Sequence, residues 1–204
     1  MSSGRIEAIL RYIRPGRPLY DLCCDHGLIG LTALLEKGSS KVYFVDQSLN
    51  ALRPLQNVLA QKSAEIQARA FVIGSPAEHM VLSQQPSDII IAGVGVQTTL
   101  SILDQIFPQG LGGHRLILAP QQKSLDLRLF LRQRGYKLYD EIVIMEKRRF
   151  REILILEQEG EDISSFGEKI LERQDPLSQA FKSYLETYYE AIRKSRDRYS
   201  GSVF

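Results

Sequence analysis

Apolar residues recur along this chain in two rhythms, one of helices and one of strands. Ile6, Ile9, Leu10 and Ile13 fall at helical spacing and predict an opening helix that Ser2 and Ser3 can cap and Pro15-Gly16 ends. A short run follows in which Leu19, Leu22 and Cys23 are apolar enough for a buried strand. Asp21 interrupts it, and Gly27 and Gly30 mark the change to a helix over about 26–37. Residues 41–45 (KVYFV) predict a second strand, 48–62 a helix and 66–73 (IQARAFVI) a third, imperfectly alternating strand. Gly74-Ser75-Pro76 turns into a short helix ending near Ser83. The continuous apolar run in 87–92 (SDIIIA) predicts a strand at the buried centre of a parallel sheet.

A helix over 98–107 and a strand over 114–119 come next. The helix over 124–134 is expected to turn Leu125, Leu129 and Leu131 inward and Arg128, Arg132 and Arg134 outward, with Gly135 as its C-cap. Strands at 136–145 and 150–157, joined by residues 146–149, predict an antiparallel hairpin. Beyond Gly160 polar residues dominate as far as Pro176. Helices are expected at 164–173, capped by Ser164-Ser165, and at 177–198, where Ala180, Phe181, Tyr184, Leu185, Tyr188 and Ile192 share a face. Strands alternating with helices imply an α/β fold, a doubly wound Rossmann-like parallel sheet with right-handed crossovers. The chain is expected to divide into a domain at 1–159 and a helical C-terminal appendage at 160–204.

Composition narrows the class. A chain of 204 residues suits one sizeable α/β domain with a small appendage. With 44% hydrophobic and 25% charged residues it is not a disordered chain, and a net charge of +2 does not by itself imply nucleic acid. The two cysteines are neighbours, Cys23 and Cys24, without a C-x-x-C or a His/Cys cluster, so no metal is expected. The N-terminus lacks a signal-peptide core, and no run reaches the roughly 20 apolar residues that span a bilayer. A reducing, cytoplasmic setting away from membranes is expected, with no obligate protein partner.

Candidate chemistry gathers where strands end. Residues 18–30 read as strand, turn and helix start, a geometry that presents backbone N–H groups and a carboxylate at a sheet edge. It fits either a nucleotide site or an ordinary β–α turn. Asp46, about 20 positions after the first turn, is placed to hold ribose hydroxyls or to cap the helix that follows. Gly93 and Gly95 mark either close approach of a ligand to the backbone or a tight turn. Lys147, Arg148, Arg149 and Arg151 surround Phe150, and Arg193, Lys194, Arg196 and Arg198 lie near Tyr199. Such clusters bind phosphate, and an aromatic inside one can stack on a base; they also occur as plain solvated surface.

Taken together, DLCCDHG at 21–27, the acidic end of the second strand, DIIIAGVG at 88–95, LILAP at 116–120 and REILILE at 151–157 resemble the bacterial tRNA adenine-N1 methyltransferases that act on the adenine at position 22 of tRNA. The resemblance spans about residues 5–157 and includes the opening helix with Arg5. It implies a class I methyltransferase sheet with a terminal antiparallel hairpin, S-adenosylmethionine as methyl donor and tRNA as acceptor. By this resemblance Asp21 serves the methionine part of the cofactor, Asp46 its ribose, and Ala92 and Gly93 its sulfonium side. Cys23, Gly27, Gly74 and Ser75 complete the cofactor set. Asp25 is the candidate catalytic carboxylate, which can stabilise the cationic ring formed when N1 is methylated or hold the N6 amino group. His26 orients Asp25 or is structural. Gly95, Pro120, Gln121 and the basic hairpin residues Lys147, Arg148, Arg149 and Arg151 fall on the RNA side. The family usually has glycine at the place of Cys23, and its Gly-Asp-Gly after the third strand is Gly74-Ser75-Pro76 here. Two other readings stand beside this one: a related methyltransferase with another RNA or small-molecule acceptor, and a non-catalytic RNA-binding protein on the same scaffold.

Overall fold

The structure, a computed structural model, describes residues 4–121 and 124–200. The expected cap at Ser2 and Ser3 lies outside the described residues, as do the side chains of Ile192 and of the second basic cluster, Arg193, Lys194, Arg196, Arg198 and Tyr199. Among the described residues the chain forms one eight-stranded sheet flanked by helices. Its first five strands are β1 (Leu19–Leu22), β2 (Val42–Asp46), β3 (Ala70–Gly74), β4 (Asp88–Ala92) and β5 (Arg115–Ala119), paired parallel. The last three, β6 (Lys137–Glu146), β7 (Arg149–Glu157) and β8 (Glu161–Asp162), pair antiparallel. The helices are α1 (Gly4–Leu10), α2 (Leu28–Glu36), α3 (Leu49–Ala60), α4 (Ala64–Gln67), α5 (Val96–Ile106), α6 (Ser124–Gln133), α7 (Glu168–Glu172) and α8 (Pro176–Ser200). The doubly wound α/β sheet with its terminal hairpin is therefore present as expected.

Strand order is β3-β2-β1-β4-β5-β7-β6-β8. The chain winds outward from β1 to β3, then returns to lay β4 against the other side of β1. Where the winding reverses, the connections leave β1 and β4 in opposite directions, and a crevice opens at their C-terminal ends.

Alternation along the strands splits the core between two faces. Tyr20, Leu22, Ile89, Ile91, Leu116 and Leu118 pack with Ile102 and Leu103 of α5 and Leu127 and Leu131 of α6. Leu19, Phe44, Ile90, Ile117 and Ile155 pack on the other face with Ile9 of α1, Leu34 of α2 and Leu52 and Leu55 of α3. A smaller cluster of Val143, Ile170 and Phe181 seats α7 and α8 on the hairpin. No helix among the described residues is long and apolar enough to cross a membrane.

The structure corrects several local expectations. The third strand is only the second half of the segment 66–73. Ser63 accepts a hydrogen bond from the N–H of Ile66 and nucleates α4, so β3 starts at Ala70. The segment after Gly74 holds a 3-10 turn at Ala77–His79 in place of a helix running to Ser83. The hairpin link is two residues long: Lys147 (φ 48) and Arg148 (φ 61) are both left-handed, as the tight turn matched to strand twist requires. The helix expected at 164–173 is shorter and is capped by Gly167 (φ 78), not by Ser164-Ser165; Ser164 lies ahead of it, its Oγ accepting from the N–H groups of Gly167 and Glu168.

Arg128 departs most from expectation. It lies inward, 1% exposed, with its Nη2 2.6 Å from the fully buried Glu141 and its Nε donating to Glu152 at 3.0 Å. Glu141 also accepts from the N–H of Lys169. The cluster thus joins α6, β6, β7 and α7 through one charge group. Leu127 and Leu131 are the buried leucines of α6, while Leu125 and Leu129 are only half-buried. Helical spacing alone does not reveal that an arginine is inward when its partners come from strands downstream. Removing one partner of such a cluster leaves uncompensated buried charge. Arg128→Ala is expected to lower the unfolding free energy in urea by about 3–5 kcal/mol, while Arg132→Ala, at an exposed position of the same helix, changes it by less than about 0.5 kcal/mol. Equal effects would contradict this assignment.

Candidate functional site

The C-terminal ends of β1, β2 and β4 open into a cavity of about 640 Å3. Asp21 near the end of β1, with Cys23, Asp25 and His26 after it, and Asp46 at the end of β2, with Gln47 after it, line it. Pro76, Ala77 and Glu78 form the wall beyond β3, and Ala92, Gly93 and Val94 the wall beyond β4. Helix α1 contributes Arg5 and Ile6, and Gln121 closes the side next to β5.

The turn after β1 shapes this cavity. Cys23 (φ 57) and Asp25 (φ 52) are both left-handed, a conformation costing a residue with a Cβ about 1–2 kcal/mol. The turn is held by local bonds: the N–H of Cys24 donates to the carbonyl of Val45 at 3.0 Å and that of Gly27 to Cys24 at 2.8 Å. Gly27 (φ 66) begins α2, and a Cβ there would meet the Leu55 side chain at 2.6 Å.

Asp46 is the brace. Its Oδ2 accepts from the N–H of Asp25 at 2.9 Å and its Oδ1 from that of Ser48 at 2.8 Å. One carboxylate therefore ties the turn after β1 to the loop after β2, and each oxygen keeps a free lone-pair direction. The cap of α3 is Ser48, whose Oγ accepts from the N–H of Ala51 at 3.3 Å, so capping is not the task of Asp46.

Asp21 is almost wholly buried, with its Oδ2 accepting from the N–H of Gly30 at 2.9 Å. A Cβ at Gly30 would stand 2.9 Å from that oxygen, so glycine is what allows the helix to approach the carboxyl. Burial, only partly offset by the Gly30 bond, pushes the Asp21 carboxyl up to about 7. Burial, helped by the charges of Asp46 and Glu78, pushes the Cys23 thiol up to about 11. Cys24 is likewise raised, by burial first, so both cysteines are neutral thiols near neutral pH. Asp25 and His26 are largely exposed at the mouth. His26 Nδ1 is 3.1 Å from the carbonyl of Ala51, to which it can donate, and 3.6 Å from Asp25 Oδ1.

Opposite them, Gly93 (φ 78) passes close to the guanidinium of Arg5, and the Gln121 side-chain amide donates to the Gly93 carbonyl. Arg151 donates to the Gln121 carbonyl, and Glu146 lies 3.5 Å from Arg5 and 3.9 Å from Arg151. The hairpin is thereby tied to the rim of the cavity.

Of the residues singled out from sequence, Asp21, Cys23, Asp25, His26, Asp46, Ala92, Gly93 and Gln121 meet at the cavity. Gly27, Gly74, Ser75, Gly95 and Pro120 stand behind its lining, in the turns that carry it. Lys147, Arg148 and Arg149 are exposed at the hairpin, while Arg151 faces back toward Gln121. Phe150 is not free to stack on a base as expected. Its ring lies 5.3 Å from that of Phe181 and 5.2 Å from that of Tyr184, because α8 covers it. Arg5 and Glu78 received no site role from the local pattern, since neither a helix folding back over the strand ends nor a 3-10 turn leaves a periodic signal. Among the described residues no group of three or more His, Cys, Asp or Glu is arranged to hold a metal.

Comparison with known proteins adds a family. Residues 2–154 match the family model described as "Methyltransferase domain". A tRNA (adenine(22)-N(1))-methyltransferase of Bacillus subtilis is 24% identical over 169 residues, covering 81% of this chain and 68% of that protein. The solved structure of a B. subtilis m1A22 tRNA methyltransferase superposes with a TM-score of 0.83 at 20% identity, covering 100% of this chain and 89% of its own. A putative tRNA (m1A22) methyltransferase of Streptococcus pneumoniae, solved in complex with S-adenosyl-L-methionine, gives 0.80 at 23% identity, covering 96% and 94%. At these identities the superpositions establish the fold.

The raised Asp21 carboxyl yields a pH prediction. An acid whose folded pKa lies above its unfolded value binds more protons when folded, so its contribution to stability falls as pH rises between the two values. The stability of the wild type relative to Asp21→Asn is expected to decline from about pH 4 to about pH 7 and to be level above that. Urea unfolding of both proteins across that range measures it. A difference that grows with pH would contradict the burial argument.

Proposed function

The chain belongs to the methyltransferase-domain family, and from that premise we propose that it transfers a methyl group from S-adenosylmethionine to N1 of an adenine in tRNA, the adenine at position 22 being the favoured target. The observation that carries the reading is the cavity at the reversal of strand order, with Asp46 fixed by two backbone amides and still able to accept two more hydrogen bonds. The residues present fit the cofactor. Asp46 would take the ribose hydroxyls, the neutral Cys23 and the left-handed Gly93 would flank the methionine side, and Asp21 supports the turn from beneath. When bound, the cofactor supplies an electrophilic methyl group carried on a sulfonium.

The protein's own work is positional and electrostatic. Adenine N1 is a weak nucleophile, and its methylation leaves a cationic ring. Asp25 stands at the mouth, where its carboxylate can accept from the adenine N6 amino group and offset that charge; His26, 3.6 Å away, biases its orientation. Helix α1 and Gln121 wall the acceptor side. A base inside a folded tRNA has to be extruded to reach such a cavity. Lys147, Arg148 and Arg149, exposed at the hairpin, would hold the backbone while it is out of the stack.

The division into a catalytic domain at 1–159 and a helical appendage at 160–204 belongs to the same proposal. The support is the change in character after β7: one two-residue strand, then α7 and α8 packed on the hairpin. A tRNA substrate implies work in the cytoplasm.

Labelled S-adenosylmethionine incubated with tRNA lacking the modification tests the reading. Label in 1-methyladenosine after nuclease digestion is expected, and no incorporation into tRNA while the cofactor still binds would reject the substrate. The variant Lys147→Glu/Arg148→Glu/Arg149→Glu is expected to raise KM for tRNA at least about tenfold, because each charge reversal replaces a phosphate contact with repulsion. Its affinity for S-adenosylhomocysteine should stay unchanged, and an unaltered KM would remove the hairpin from the RNA face.

A further inference from the structure

We propose that a second cavity, at the opposite end of the sheet from the first, binds a nucleoside monophosphate. The proposal is independent of the methyl-transfer reading. The cavity measures about 510 Å3, within the range of about 300–1,000 Å3 typical of small-molecule sites. It lies where β5 and β6 begin and β7 ends. The linker from α5 to β5 forms one wall, and residues 134–137 with Glu157 and Gln158 form the other.

Tyr136 carries the argument. It lines the cavity and is only 8% exposed, yet its hydroxyl has no hydrogen-bond partner among the described residues. That oxygen is not among the sealed, unpaired buried atoms either, so the phenol opens on the cavity it lines. Burial pushes it up to about 12, with Arg134 and Asp104 as the nearby charges, so it remains a neutral donor. A phenol this deeply buried is ordinarily paired, and a ligand oxygen would supply the partner.

Two cations stand beside it. Arg134 and Lys137 line the cavity and pair with the exposed carboxylates of Asp104 at 2.5 Å and Asp162 at 2.6 Å. Exposed pairs contribute little, so both cations can exchange those partners for a phosphate. Glu157 is the one acidic lining residue, and Arg115 already offsets its charge at 2.6 Å.

The facing linker is held in place by bonds from the N–H of Gly110 to the Phe107 carbonyl and from that of His114 to the Leu111 carbonyl. Gly110 (φ 91) and Gly112 (φ 57) are left-handed, and the N–H groups of Leu111 and Gly112 have no partner among the described residues. Turns of this kind present N–H groups to anions. Phe107 and Leu111 supply an apolar floor, while the exposed amides of Gln109 and Gln158 can both donate and accept, as the edge of a base does. A bare phosphate would leave the floor and the amides unused.

The test is calorimetric titration of the wild type, Tyr136→Phe and Arg134→Glu/Lys137→Glu with adenosine 5′-monophosphate, adenosine and inorganic phosphate. The wild type is expected to bind the nucleotide at least about tenfold more tightly than either part alone. Tyr136→Phe should weaken it by about threefold to tenfold, the range for one hydrogen bond, and the double charge reversal by at least about tenfold. Arg134 and Lys137 side chains are 50% and 40% exposed, so that variant should keep the wild-type urea midpoint. An excess of S-adenosylhomocysteine should leave nucleotide binding unchanged. Absence of nucleotide binding at millimolar concentration, equal affinity for adenosine or phosphate alone, or unaltered affinity in both variants would overturn the proposal. Displacement of the nucleotide by S-adenosylhomocysteine would place it in the first cavity and overturn it as well.

Discussion

The sheet's centre is sealed on both faces, and that constraint organises the rest of the molecule. Strands β1, β4 and β5 are covered by α1, α2 and α3 on one side and by α5 and α6 on the other, so a polar side chain within them has to find its partner inside the protein. Two carboxylates do so. Asp88, at the start of β4, pairs with Arg14 at 2.7 Å, and Asp21, near the end of β1, takes the N–H of Gly30. Of the cavity's other carboxylates, Asp25 and Asp46 stand with His26 where the strands run out. There the reversal of strand order opens a crevice, and Asp46 ties the loop after β1 to the loop after β2 on one side of it. The site is a consequence of how the sheet is buried and wound.

Much of this was legible in the sequence because it depends on residues adjacent to strands. The apolar run at Ile89, Ile90 and Ile91 announces a doubly covered strand, and Gly93 and Val94 directly after it line the cavity with Cys23, Asp25 and His26 after β1 and Gln47 after β2. What could not be read depends on long-range packing. Arg128 looks like a surface residue until Glu141 and Glu152 arrive from the hairpin. Phe150 looks exposed until α8 lies across it. Arg5 reaches the cavity only because α1 folds back over the strand ends, and the start of β3 moves because Ser63 caps a helix that periodicity had merged with the strand.

The departures from the resembling family take on physical content here. Cys23 keeps a left-handed backbone, the conformation that makes glycine the usual choice, and pays for it with strain that the bonds through Cys24, Gly27 and Asp46 hold in place. Its thiol is neutral, so a methyl donor beside it would meet no thiolate. Gln121 fills the carbonyl of Gly93 and in turn receives Arg151, so the hairpin that carries the exposed basic residues is hydrogen-bonded to the rim of the cavity. The exposed basic surface and the cavity are thus parts of one connected edge.

The most direct measurement is a crystal structure of the protein soaked with S-adenosylhomocysteine. Density for the ligand is expected in the cavity at the ends of β1, β2 and β4, with both ribose hydroxyls on Asp46 and the sulfur between Cys23 and Gly93. A cavity that stays empty at saturating ligand, or a ligand bound with its ribose away from Asp46, would contradict the account.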